Sequence, residues 1–409
     1  MDAYDIKLKP ADLVGLLTEN DAMANLLTSV LNQVLDAQCT EQLKAKPFER
    51  SDERQGYRNG YRPRTLFTRV GPLTLQVPQT REGQFSTEIF KRYQRSEQAL
   101  VLSLMEMYLQ GVSTRKVTKI TEELCGASFS KSMVSQLCAN LDAVIRAWRS
   151  RSLADKKYPF LIVDALVIDV RRDGAIRSTG ALIAYGVNEA GNREPLDLLI
   201  ADSETESSWN DLFKCLKERG LKTVDLVVSD AHSGLVVALK KNFQGAQWQR
   251  CQTHFIRNVL GVVPRHLRGE LANKLKLVFT AEDPQTARKL ANEIILNYEK
   301  KAEKSMNILE DGLDNALTIL NFPLRYRKRL RTSNLAERMN EEIRRRQRVI
   351  RIFPNEESAE RLIGALLNEF YEEWQQGIRY LDMAEYWDWR KENENIFDEY
   401  QSKVIAINS

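Results

Sequence analysis

The chain has no stretch of eighteen consecutive apolar residues, which argues against a helix that crosses a bilayer. Its first residues, MDAYDIKLKPADLV, lack a basic segment followed by an apolar one, so neither a secretory leader nor a membrane partner is expected and a cytoplasmic location is. Cysteine is sparse and unpaired. Cys39, Cys125, Cys138, Cys215 and Cys251 are odd in number and scattered, with no Cys-x-x-Cys, which excludes a disulfide framework. Histidine is rarer still: Cys251 and His254 form a Cys-x-x-His, but with only His232 and His266 left no second ligand pair follows, which argues against a structural zinc site. Repeats at a solenoid period and long low-complexity linkers are also missing, so the domains are expected to pack together.

What is present is an ordinary soluble composition, 43% hydrophobic and 28% charged, on a chain of 409 residues that suits two or three domains. The net charge of +4 conceals two basic segments. Residues 44–69 hold eight basic and three acidic side chains, and residues 325–351 hold eleven and three. Together they suggest contact with a polyanion, although either alone reads equally as a solvated face.

Along the chain, apolar residues at helical spacing over 13–43 give way to YRNGYRPRTLFTRVGPLTLQVPQTR, whose Asn59-Gly60 and Gly71-Pro72 punctuate a small β-hairpin. Arg58, Arg62 and Arg64 make it a plausible backbone-contacting arm. Three helices follow, the last opening at Ser130, and they fit either a helix-turn-helix, with Lys131, Ser132 and Ser135 facing DNA, or a plain helical hairpin. From Tyr158 the order changes to βββαβαβ, the start of a ribonuclease H-like mixed sheet. Residues 253–320 then read as almost continuous helix, an inserted domain, before the strong helix TSNLAERMNEEIRRRQRVI, capped by Ser333 or Asn334. The expected domains are 1–95, 96–150, 151–252, 253–322 and 323–409.

Three acids stand where such a sheet needs them. Asp164 interrupts the apolar FLIVDALVI, Asp230 ends the fourth strand, and Glu337 lies in the first turns of the late helix. A carboxylate inside an apolar strand is expensive without a role. Asp230 and Glu337 each have a second reading, as a helix cap and as a first-turn acid answering the helix dipole. Asp169, five residues after Asp164, faces the opposite side of the strand and reads as structural. Arg344, Arg345, Arg346 and Arg348 follow Glu337 on one helix and suit phosphate contacts. Trp209 is either core or a platform for an unpaired base, and Asn334 either caps its helix or orients Glu337.

SDAHSGL followed by WQRCQTHFIRNVL resembles the signature of Mutator-type DDE transposases of bacterial insertion sequences: Asp230, Gly234 and Leu235, then Gln249, Cys251 and His254. Asn242 and Gln244 depart from that signature, and YGVNEAGNREPLDLLIADSETESSWNDLFKCLKERGL and RTSNLAERMNEEIRRRQRVIRIFPN extend the likeness along the chain. The resemblance implies a catalytic triad of Asp164, Asp230 and Glu337, at spacings of 66 and 107 residues, that binds two Mg²⁺ ions, for which Mn²⁺ substitutes. It further implies Cys251 and His254 beside that triad, double-stranded DNA at the terminal inverted repeats and at the target as partner, and a homodimer or larger homo-oligomer. Two rivals are a nuclease with the same core but no joining step, and a DNA-binding regulator whose acids are idle.

Overall fold

The computed structural model describes residues 6–7, 22–50, 52–68, 70–81, 85–87, 89, 98–109, 112, 114–125, 141–222 and 224–394. The chain divides into two compact units, Met1–Asn140 and Leu141–Ser409.

In the first unit a helix, α1 (Ala22–Leu43), packs on the antiparallel pair β1 (Arg58–Thr68) and β2 (Gly71–Thr80). From Gly71 to Gln76 strand β2 alternates, with Leu73 and Leu75 inward and Thr74 and Gln76 outward, so over this stretch one face meets α1 and the other meets water. Leu35, Leu66, Leu73 and Leu75 form the resulting core. Arg58 is not a free arm. Its Nη2 donates to Thr40 Oγ1 at 2.6 Å and its Nη1 lies 3.8 Å from Asp36, because α1 offers a carboxylate within its reach. Arg62 is exposed and Arg64 half-buried. Helices α2 (Gln98–Leu109) and α3 (Thr114–Cys125) match the first two expected helices, whereas Lys131, Ser132 and Ser135 lie outside the described residues.

The second unit starts with α4 (Leu141–Ser150), so the break between units falls before this helix rather than at the expected 150. The physical reason is its apolar face, Leu141, Ile145 and Trp148, which is buried in this unit. Arg149 also pairs with Asp197 at 2.9 Å, and Asp142 accepts two hydrogen bonds from Arg361 at 2.6 and 2.9 Å.

The sheet contains β3 (Phe160–Arg172), β4 (Ala175–Val187), β5 (Arg193–Ala201), β6 (Leu226–Ser229) and β7 (Gln247–Arg250), in spatial order β5-β4-β3-β6-β7. The first three form an antiparallel meander, and β6 and β7 run parallel to β3. Between β3 and β4, Asp173 and Gly174 have φ of 49° and 77°, the left-handed pair that a two-residue hairpin loop requires. Crossovers α5 (Glu206–Glu218) and α6 (Ser233–Asn242) cover one face, burying Trp209, Leu212, Phe213, Leu235 and Leu239 with Leu161, Val163 and Leu182. Gly234 is required at this packing: a Cβ there would meet the Glu206 nitrogen at 2.6 Å and the Thr205 carbonyl carbon at 2.9 Å.

After β7 comes the helical insertion, α7 (Gln252–Gly261), α8 (Arg268–Phe279) and α9 (Pro284–Leu317), with its own core around Phe255, Leu275, Tyr298 and Leu309. Gln249, wholly buried at the end of β7, ties it to the sheet. Its Nε2 donates to the Ala316 carbonyl at 2.9 Å, and its Oε1 accepts from the Ile319 amide at 2.7 Å. The chain returns through α10 (Leu324–Leu330), α11 (Asn334–Ile350), α12 (Glu356–Gln376) and α13 (Ala384–Glu392). Rings of Phe160, Tyr326 and Tyr386 pack together against β3, with Phe160 and Tyr386 4.7 Å apart.

Helix α13 is fastened by Asp225, which is 3% exposed and accepts from Tyr386 Oη at 2.6 Å and from Arg390 Nε and Nη2 at 2.9 and 3.0 Å. Removing one partner of a buried pair strands the other, at a cost of about 3 kcal/mol or more. Asp225→Ala is therefore expected to lower unfolding free energy by about 3 kcal/mol, read from urea denaturation.

Candidate active site

Strands β3 and β6 carry the first two acids to the same edge. Their parallel register ends at Ile162↔Val228, and two residues further along each chain lie Asp164 and Asp230. Neighbouring strands are about 4.8 Å apart, so Asp164, inside the longer β3, lies level with Asp230, which follows the carboxyl end of β6, where open sheets bind ligands. Asp230 is fixed by its own turn, Oδ1 accepting from the Ala231 amide at 2.7 Å.

The third acid arrives on α11, whose start is set by β7. Cys251, fully buried after that strand, accepts from the Ser333 amide at 3.4 Å and from Ser333 Oγ at 3.3 Å, while the Gln252 amide donates to the Arg331 carbonyl at 3.0 Å. Ser333 thus begins the helix but spends its hydroxyl on sulfur rather than on a helix amide. Glu337, in the first turn, reaches a cavity of about 500 Å³ lined also by Asp164, Asp230, His254, Asn340 and Arg344. All three expected acids line this one cavity.

Burial pushes the Asp164 carboxyl up to about 6, with Glu337 and Asp230 adding to it, while the Ala165 amide and His254 oppose it. The negative cluster is answered by His254, whose Nε2 is 3.6 Å from Glu337 Oε1. The adjacent Cys251 raises the imidazole to about 9 against the penalty of burial, with Asp230 and Glu337 adding to the rise. Burial alone would push the Cys251 thiol up, but its bonds with His254 and Ser333 bring it below its ordinary value. Cys251, His254 and Glu337 are the one group of three or more such side chains, among the described residues, whose ligand atoms lie within 4.8 Å of one another. A protonated imidazole is a poor metal ligand, and His254 raised in this way sets a positive charge beside Glu337.

Other expected site residues fall elsewhere. Trp209 is wholly buried, stacked on Phe213 at 5.7 Å, so it offers no platform to a base. Its indole instead donates to Glu204 Oε1 at 3.2 Å, and Glu204 lines the cavity beside His232. Asn334 is exposed at the first position of α11 and does not line the cavity. Arg346 is not a phosphate contact: its side chain is 4% exposed and paired with Glu342, because it shares the inward face with Ile343. Arg345 makes two 3.0 Å bonds to the same glutamate. Arg344 and Arg348 are exposed and line a groove with Arg351 and Val167, and Arg344 borders both this groove and the acid cavity. Sequence reasoning missed Asn340, whose Nδ2 donates to Asp164 Oδ2 at 2.8 Å; its position three residues after Glu337 on one helix was the available signal.

Comparison with known proteins identifies the class first. Over 379 residues the chain is 45% identical to the transposase for insertion sequence element IS256 in transposon Tn4001 of Staphylococcus aureus, covering 91% of this chain and 97% of that one. It is 44% identical to the transposase for ISRM5 of Rhizobium meliloti (90% and 92% covered) and 35% identical to that for IS1081 of Mycobacterium tuberculosis (89% and 88%). Among solved structures, a chain of the Drosophila P element transposase strand transfer complex aligns over 80% of this chain and 94% of its own at a TM-score of 0.31 and 11% identity, too faint a likeness to support any inference. Residues 6–377 match the family described as Transposase, Mutator family, and the chain belongs to that family.

Two measurements check the electrostatics. In the metal-free protein the His254 imidazole is expected to titrate near 9 when followed by NMR, and Cys251→Ala to return it toward 6.5. Because this folded value lies above the unfolded one, its contribution to stability is complete below about 6.5 and is lost as pH rises through about 9. For Asp164 the sign is opposite: an acid raised to about 6 costs stability once ionised, so Asp164→Asn is expected to raise the melting temperature of the metal-free protein at pH 7.5.

Proposed function

We propose that this transposase is a DDE enzyme that binds the terminal inverted repeats of an insertion sequence, cleaves a strand at each element end and joins the freed end to target DNA. The observation that supports it most is the convergence of Asp164, Asp230 and Glu337 on one cavity from two adjacent strands and a helix beyond an insertion. The sheet order, an antiparallel meander extended by two parallel strands, fits a ribonuclease H-like core.

The donors suit two divalent ions, Mg²⁺ with Mn²⁺ as substitute. They are hard carboxylate oxygens, Asp164 is kept near 6 by burial among like charges, and Glu337 Oε1 is buried without a hydrogen-bond partner. When bound, such ions supply Lewis-acid activation of the attacking oxygen and stabilise the leaving one. The chain's own groups do the rest. Arg344 draws a phosphodiester toward the acids, Arg348 and Arg351 continue the positive track, and His254 holds Glu337 in place. Water attacks the phosphorus at the element end, the bond to the 3′ oxygen breaks, and the resulting 3′ hydroxyl attacks a target phosphodiester, losing its proton and displacing the target's own 3′ oxygen, which leaves as a hydroxyl. Pairing two ends calls for a homodimer or a larger homo-oligomer.

Incubating the protein, Mg²⁺ and labelled element ends with plasmid target is expected to yield strand-transfer products. A nuclease would give cleavage alone, and a regulator neither. Asp164→Asn, Asp230→Asn and Glu337→Gln are each expected to lower cleavage at least 1,000-fold while metal-free binding to end DNA is retained in a gel-shift assay; cleavage unaffected by Asp164→Asn would refute the assignment. Arg344→Ala is expected to weaken binding to matched and scrambled DNA alike and to reduce its salt dependence.

A further inference from the structure

Asn340 has no role in the reading above, yet it is the side chain most intimately joined to Asp164. It is 5% exposed, lies on the same helix as Glu337, and donates from Nδ2 to Asp164 Oδ2 at 2.8 Å. Its own Oδ1 is buried with no hydrogen-bond partner, a condition that proteins seldom leave uncompensated. Both residues line the acid cavity. We propose that Asn340 is a positioning residue: its amide fixes the Asp164 carboxylate in the orientation that receives a divalent cation, and makes the acid of β3 and the acid of α11 one rigid unit.

The choice of an amide has a physical logic. A carboxylate on a strand turns about its side-chain bonds, and a metal site tolerates only about 0.5 Å of misplacement, so the acid needs an orienting partner. A lysine or arginine here would orient Asp164 equally well but would neutralise it and compete with the cation. A neutral donor orients without discharging. It engages one carboxylate oxygen, Oδ2, and leaves the group its charge, while the unfilled Asn340 Oδ1 would accept from a water held at the site. Because Asn340 follows Glu337 on α11, any displacement of that helix moves the third acid and releases the first together.

This inference rests on the proposed metal site, and the test separates the two. Mn²⁺ binding to the full-length, DNA-free protein is titrated by electron paramagnetic resonance for wild type, Asn340→Ala, the shape-preserving Asn340→Leu, Asp164→Asn and the Asn340→Leu/Asp164→Asn pair, with melting temperatures recorded for each. The expected result is a fivefold or greater loss of Mn²⁺ affinity in both single variants at 340, and no further loss when Asn340→Leu is added to Asp164→Asn. The Mg²⁺ concentration for half-maximal end cleavage rises in parallel, and metal-free DNA binding stays within twofold. Wild-type affinity in Asn340→Leu, or a loss that simply adds to that of Asp164→Asn, would overturn the positioning role, since packing alone predicts one of those results. If either variant at 340 melts below assay temperature, the titration is run on Asn340→His, which keeps an N–H donor. Affinity within threefold of wild type there supports the role, and a fivefold loss overturns it. Mn²⁺ binding untouched by Asp164→Asn would instead remove the metal-site reading itself, and this inference with it.

Discussion

The parallel pairing of β3 with β6 is the constraint on which the rest of the second unit depends. Three registered pairs, Phe160↔Leu226, Leu161↔Val227 and Ile162↔Val228, bring two chain segments far apart in sequence to the distance of a single strand spacing. Parallel strands need both faces covered, and this pair is covered by α5 and α6 on one side and by an aromatic layer including Tyr326 and Tyr386 on the other. Asp230 stands just past the carboxyl end of β6, and Asp164, inside the longer β3, lines the cavity that opens there.

The second constraint is the seam between β7 and α11. Gln249 anchors the helical insertion, Cys251 receives two hydrogen bonds from Ser333, and His254 faces Glu337, so three residues of one short segment fix the insertion, the start of α11 and the third acid in turn. The insertion is therefore more than a decoration between strand and helix: its entry and exit are both tied to the element that completes the cavity. The same local economy explains the arginines. Glu342 pairs with both the exposed Arg345 and the buried Arg346, and Arg344, Arg348 and Arg351 are the ones that line the outward grooves.

Much of this was legible in the residues. Alternation in GPLTLQVPQT marked a half-buried hairpin strand, the apolar FLIVDALVI marked a buried one, and its interrupting aspartate marked a cost that called for a purpose. What misled was proximity along a helix. Asn334 is as near to Glu337 in sequence as Asn340, and only the packing of α11 against β3 turns one asparagine to solvent and the other onto Asp164. Arg346 and Arg348 likewise differ only in which face of that helix is covered, and Trp209 was assigned to the core by the depth of α5 rather than by any feature of its neighbours.

The sequence by itself determined the elements, the positions of the acids and the family, because periodicity, turn residues and motif spacing are properties of local chain. Tertiary structure alone decided which side chains face one another across those elements, since that depends on strand register and helix rotation set by the whole core. Asn340 against Asp164, 176 positions apart, is such a meeting.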